Sequence, residues 1–150
     1  MNIDLMCLMK LENMSEFNFN SQVCTSRSQS ERLLALGLKK ETAYMCWQTT
    51  TLNGEAITYP SQDVWLNGSI ITNNHFPAWS LHRLCDMMPK NIAIDGDTAY
   101  PLQIQKRIDG KWCVGYQGWY DCVGDLYDSV IWIYQLLISE DYLDEFCNKG

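Results

Sequence analysis

Both histidines of the chain, His75 and His82, fall beside Cys85 in the stretch "HFPAWSLHRLCDMMP" at residues 75–89. Two chemistries use such a set. His82-x-x-Cys85 has the spacing of a pair of metal ligands, and a cysteine with a histidine base is a nucleophile pair. A structural zinc site wants four ligands, and no other Cys or His stands at a paired spacing. A reactive thiolate needs an electropositive, partly exposed setting. Here Leu81, Leu84, Cys85 and Met88 follow an i, i+3, i+4, i+7 stripe, which puts the thiol on an apolar helix face and raises its pKa. The segment therefore reads as a scaffold helix, with Pro77 in its first turn and Pro89 as its stop. His82 then meets Asp86 one turn on, as an ordinary surface pair. No catalytic residue, metal ligand or cofactor is expected.

The carboxylates at Asp95, Asp97, Asp109, Asp121, Asp125 and Asp128 stand where turns and helix caps use them, and "DGD" at 95–97 is out of register for a calcium loop. Glycine-rich phosphate loops, G-x-S-x-G and H-E-x-x-H are absent from the sequence, which weighs against nucleotide-dependent or standard hydrolytic catalysis. Binding groups are easier to find. "GYQGWYDCVGD" at 115–125 crowds Trp119 and Tyr120 between glycines, in an expected strand-to-helix loop. Those rings could stack on a base or hold a peptide; the plainer alternative is that they cover the end of a sheet. Trp132 and Leu136 fall on the polar side of the last helix, which implies a second contact with the N-terminal segment or another chain.

The elements that would position these residues follow from local signals. Ser28 and Glu31 form a capping-box pattern ahead of a helix over 29–36, and Gly37 suits its C′ position. Four Asn/Asp-Gly pairs (53–54, 67–68, 95–96 and 109–110) read as type I′ hairpin turns between alternating segments. In the clearest of these, Leu102, Ile104 and Ile108 alternate with Gln103, Gln105 and Arg107, and across the turn Trp112, Val114 and Tyr116 alternate in the same way. A long helix over 126–139, capped by Asp125, presents Leu126, Tyr127, Val130, Ile131, Ile133, Tyr134, Leu137 and Ile138 to a sheet. The acidic tail after it is expected to fray. Residues 1–13 carry a weak amphipathic pattern, with Met14 as an alternative start, and 15–30 are rich in Ser, Asn and Gln. The expectation is a mobile N-terminal segment and polar linker over 1–27, followed by a single α+β domain over 28–150. In that domain an antiparallel sheet built from hairpins is packed by the long C-terminal helix and two shorter helices.

Composition narrows the function. The chain has 150 residues, 47% of them apolar, and a net charge of −7. It can bury an ordinary core, and its charge disfavours contact with a nucleic-acid backbone while suiting a basic protein partner. Seven cysteines without a C-x-x-C suggest buried thiols in a reducing cytoplasm. No apolar run reaches the length of a membrane span.

Three blocks, "RLLALGLKKETAYMCW" (32–47), "PAWSLHRLCDMMP" (77–89) and "DSVIWIYQLLISEDYL" (128–143), resemble a group of small uncharacterised proteins of Bacteroides-type bacteria and their phages and mobile elements. They cover about a third of the chain, and Tyr44 departs from the acidic residue usual in that group. The resemblance implies a context and no catalytic residues. The ending around "GDLYDSVIWIYQLL" is also similar, over about 40 residues, to the last part of HicB-type antitoxin folds. The function expected first is a non-catalytic, cytoplasmic binding protein, encoded by a phage or mobile element, acting on a host protein or complex. It would use its acidic surface and exposed aromatics, or self-associate through the outer face of the last helix. The second is a small-ligand or nucleotide binder with Trp119 and Tyr120 at its pocket. The third is a HicB-like antitoxin masking a basic RNase.

Overall fold

The computed structural model describes residues 21–61, 75–93 and 96–148. The expected helix at the N-terminus and the Asn67-Gly68 turn lie outside them, as does Asp95. Helix α1 spans Arg27–Ala35, followed by a short 3-10 turn at Lys40–Thr42. Strands β1 (Met45–Leu52), β2 (Glu55–Ser61) and β3 (His75–Ala78) form an antiparallel sheet in the order β2-β1-β3. Helix α2 (Leu81–Met87) leads into a two-residue pairing of β4 (Asn91–Ile92) with β5 (Tyr100–Pro101). A second antiparallel sheet, β6-β7-β8, joins Gln103–Lys106, Trp112–Tyr116 and Trp119–Gly124. Helix α3, Leu126–Ser139, packs on β7 and β8 and along α1. The class is α+β, with antiparallel sheets packed by the C-terminal helix.

The buried face of α3 is the one its periodicity marks: Tyr127, Val130, Ile131, Ile133, Tyr134 and Leu137 are buried with Leu33, Leu84, Val114 and Trp79 in one core. Asp125 caps the helix by accepting from the Asp128 amide at 3.0 Å. Asp128 in turn accepts from Gln29 Nε2 at 2.9 Å and from Arg32 at 3.1 Å, tying α1 to the first turn of α3. The phenol of Tyr134 donates to the Leu84 carbonyl, and that of Tyr116 to the Pro89 carbonyl, so each buried hydroxyl is satisfied.

Several local expectations are corrected. The capping box is Ser26 with Gln29, two residues earlier than Ser28 with Glu31; Glu31 instead meets Arg27 at 3.4 Å on the surface. The polar stretch belongs to the domain from Cys24 onward. Cys24 and Thr25 are fully buried, and the Thr25 amide donates to the Trp79 carbonyl at 2.8 Å. Pro77 sits in β3, an edge strand that tolerates its missing amide donor, and α2 starts after a Ser80 cap. The 53–54 turn has positive φ at both central residues, as type I′ requires. At 109–110 only Gly110 is left-handed: the Gly110 amide donates to the Arg107 carbonyl and the Arg107 amide to the Lys111 carbonyl. The loop is thus longer and carries Ile108 at its tip in full exposure. The acidic tail is docked, with Leu143 fully buried and amides of Lys39 and Asn148 bonded across to the carbonyls of Phe146 and Gly37. Composition suggested fraying; two buried apolar side chains, Leu143 and Cys147, override it.

The cysteines divide differently from the all-thiol expectation. Cys113 and Cys122, facing each other across β7 and β8, are joined in a disulfide. Cys24, Cys46 and Cys147 are buried free thiols, and Cys85 is half-buried. The bonded pair stands nine positions apart in sequence, and hairpin pairing brings the two together without any C-x-x-C spacing. No helix among the described residues is long and apolar enough to cross a membrane.

Candidate functional site

The residues singled out for binding lie on two elements, Trp119 and Tyr120 on β8 and Trp132 and Leu136 on α3. Trp119 and Tyr120 lie on β8 itself, not in a strand-to-helix loop, because residues 112–124 form a hairpin closed at Gln117-Gly118. Neighbouring strand residues face opposite ways. Trp119 packs against the core and meets Tyr142 edge-on, with ring centroids 5.9 Å apart. Tyr120 is on the other face, 37% exposed, with its hydroxyl donating to Gln105 Oε1 at 3.2 Å. Trp132 and Leu136 are partly buried and pack against the central core. The N-terminal cover expected over them falls outside the described residues.

The His/Cys segment shows no assembled site. Burial pushes the Cys85 thiol pKa up, as its place on the apolar stripe implies. Asp86 pairs with Arg83 at 3.6 Å, not with His82. Arg83 is nearly buried, donates to the Thr42 carbonyl at 2.9 Å and stacks on Tyr44 at 4.0 Å, so it fixes the 3-10 turn against α2. Among the described residues no cluster of three or more His, Cys, Asp or Glu is placed to hold a metal ion.

A different site emerges where the start of α1 crosses the β1-β2-β3 sheet. Its construction begins with Thr25. The Thr25 amide and hydroxyl hold the Trp79 backbone, and its carbonyl accepts from Trp47 Nε1 at 2.8 Å. That bond fixes the indole of Trp47 beside the cap of α1. Ser26 then turns the chain into the helix: its hydroxyl accepts from the Gln29 amide at 3.2 Å while Gln29 Oε1 accepts from the Ser26 amide at 3.0 Å. The cap sets Arg27 at the first helical position, with its guanidinium 4.6 Å from the centre of the Phe76 ring.

The sheet supplies the floor. Register places Trp47 opposite Phe76 on β3 and Thr49 opposite Thr58 on β2. Trp47 and Thr49 are two apart, so all four share one sheet face. The two threonine hydroxyls bond each other at 3.0 Å. Ser26, Arg27, Trp47, Thr49, Thr58, His75 and Phe76 together line a half-open cleft of about 330 Å³. That volume lies within the range of small-molecule pockets. Two aromatic rings offer stacking surface, three hydroxyls offer donors and acceptors, and Arg27 offers a fixed fork of N–H groups. These are groups able to contact a ligand.

Sequence reasoning missed this cleft because its parts come from three separated stretches, 26–27, 47–58 and 75–76. A local signal did exist. In "CWQTTTL" the alternation Trp47-x-Thr49-x-Thr51 marks a strand face that is hydroxyl-rich rather than apolar, and Trp47 interrupts it with a large ring. Scans of protein-family models, curated proteins and solved structures each returned no match to this chain.

Proposed function

We propose that the chain is a non-catalytic binding protein whose ligand site is the cleft between α1 and the β1-β2-β3 sheet, and that it accepts a planar aromatic group. The observation that carries this reading is the convergence of Trp47 and Phe76 on one sheet face beneath Arg27, around about 330 Å³ of open space. Aromatic walls favour a flat ring, because stacking on an aromatic side chain contributes about 1–3 kcal/mol and is tolerant of the ring's identity. The lateral threonine hydroxyls supply polar contacts that would orient it. The net charge of −7 and the resemblance to proteins of phages and mobile elements support a regulatory setting, in which a host molecule is captured or sensed and not turned over.

A library of small aromatic compounds, screened by saturation-transfer NMR against the whole chain and against Trp47→Ala, tests the proposal. Compounds that bind the parent and lose that binding in the variant support it. Compounds that bind both equally, or a library without binders, would overturn it. Circular dichroism of Trp47→Ala, together with Thr49→Val as a milder variant, separates lost binding from lost folding.

A further inference from the structure

We infer that the ligand of this cleft carries an anionic group on its planar ring, a carboxylate or a phosphate, and that Arg27 is the residue that receives it. The inference rests on the binding reading above and adds the charge of the ligand to it. Its basis is the absence of carboxylates from the described lining of the cleft. Eighteen Asp and Glu against eleven Lys and Arg make the chain acidic overall, yet among the described residues lining the cleft the ionisable side chains are Arg27 and His75, and none is a carboxylate. A lining with an arginine and no carboxylate stands out in an acidic chain, at the place where aromatic walls already converge.

The geometry around Arg27 suits an incoming anion. Its guanidinium lies over Phe76, a contact that favours a pose at the cleft before a ligand arrives. Its partner Glu31 is held through Nε at 3.4 Å, with both side chains more than half exposed. An exposed pair of that kind is weak and readily exchanged. A carboxylate or phosphate entering from the cleft can take the terminal N–H groups of the same guanidinium, which form the fork that matches such oxygens. Thr49 and Thr58, across the floor, are placed to hydrogen-bond the polar edge of the ring.

Calorimetric titration of the full chain with matched pairs tests the inference: indole-3-acetate against indole-3-acetamide, and adenosine 5′-monophosphate against adenosine. The first pair probes a carboxylate and the second a phosphate, so the arms separate the two sources. We expect the anionic member of at least one pair to bind roughly tenfold more tightly or better, since a charge-assisted hydrogen bond is worth that much. The preference should weaken as salt is raised. Arg27→Gln should bring the two members within about twofold, and Arg27→Lys should restore part of the difference. Equal binding of charged and neutral members to the parent overturns the inference while leaving the aromatic cleft standing. So does a charge preference that survives Arg27→Gln in a folded variant. Failure of all four probes, where the neutral aromatic library does yield Trp47-dependent binders, overturns the charge assignment alone.

Discussion

Replacing Gly115 by alanine should be among the most damaging single-methyl changes in this chain. Gly115 pairs with Tyr120 across the β7-β8 hairpin and has φ +151°, in a region L residues rarely adopt. A Cβ added there would lie 2.0 Å from the Trp119 carbonyl oxygen and 2.9 Å from the Tyr120 Cα. Both are backbone atoms, so no side chain can swing aside. Reaching an ordinary 3.4 Å contact means parting the strands by about 1.4 Å at that point, which breaks the pairing that seats Trp119 against Tyr142. Backbone strain contributes about 1–3 kcal/mol and overpacking a similar amount, for a loss of roughly 2–6 kcal/mol. In a chain of this size that lowers Tm by roughly 4–24 °C. Gly110→Ala is the internal control: its φ is +83°, but nothing lies within 4 Å of the added carbon, so about 1 kcal/mol is expected. Urea unfolding of both variants measures the difference. If Gly115→Ala costs no more than Gly110→Ala, the close strand approach described here is wrong.

Other perturbations test separate parts of the account. Ser26→Ala removes the capping box and should cost about 1 kcal/mol by denaturant unfolding; it should also weaken aromatic binding, because the cap positions Arg27. Tyr134→Phe leaves the buried Leu84 carbonyl without its donor and should cost about 1–2 kcal/mol in the same assay. Burial, with Cys46 nearby, pushes the Cys24 thiol from its ordinary 9.0 up to about 11. The folded chain therefore holds a proton that the unfolded chain releases above pH 9, and this contribution to stability, on the order of 2 kcal/mol, is full below pH 9 and lost as pH rises through 11. Urea midpoints measured from pH 8 to 11 should fall less steeply in Cys24→Ala. Alkylation of the unfolded, unreduced chain followed by peptide mass spectrometry should leave Cys113 and Cys122 unmodified, and modification of both would contradict the disulfide.

The parts of this fold legible in the sequence are those set by local periodicity and turn chemistry. Helix α3 begins and ends where the apolar spacing and Asp125 place it, and the Asn53-Gly54 turn has the backbone its residues require. The helix near residue 30 was also legible, but its cap was not: Ser26 and Ser28 both precede a Glu or Gln at the correct spacing, and what decides between them is tertiary, since Gln29 also reaches Asp128 on α3. Pro77 illustrates the same limit. A proline is tolerated in a helix's first turn and on a sheet edge alike, and pairing with Cys46 on β1 selects the edge. The acidic tail looked unstructured because its charges outnumber its apolar residues, yet Leu143 and Cys147 find a groove beside Leu38. The cleft was the least legible feature. Trp119 and Tyr120 attract notice because they are adjacent in sequence, but adjacency on a strand sends them to opposite faces. Trp47 and Phe76, 29 residues apart, face each other because β1 and β3 pair.

The most direct test of the binding reading is the indole N–H signal of Trp47 in a ¹H–¹⁵N spectrum, assigned by its loss in Trp47→Phe, during titration with indole-3-acetate and with neutral aromatic binders from the library. The account predicts that this signal moves together with the backbone amides of Ser26, Arg27, Thr49, Thr58 and Phe76, while Trp119 and Tyr120 stay in place. A titration that shifts Trp119 and Tyr120 and leaves Trp47 unmoved would contradict it.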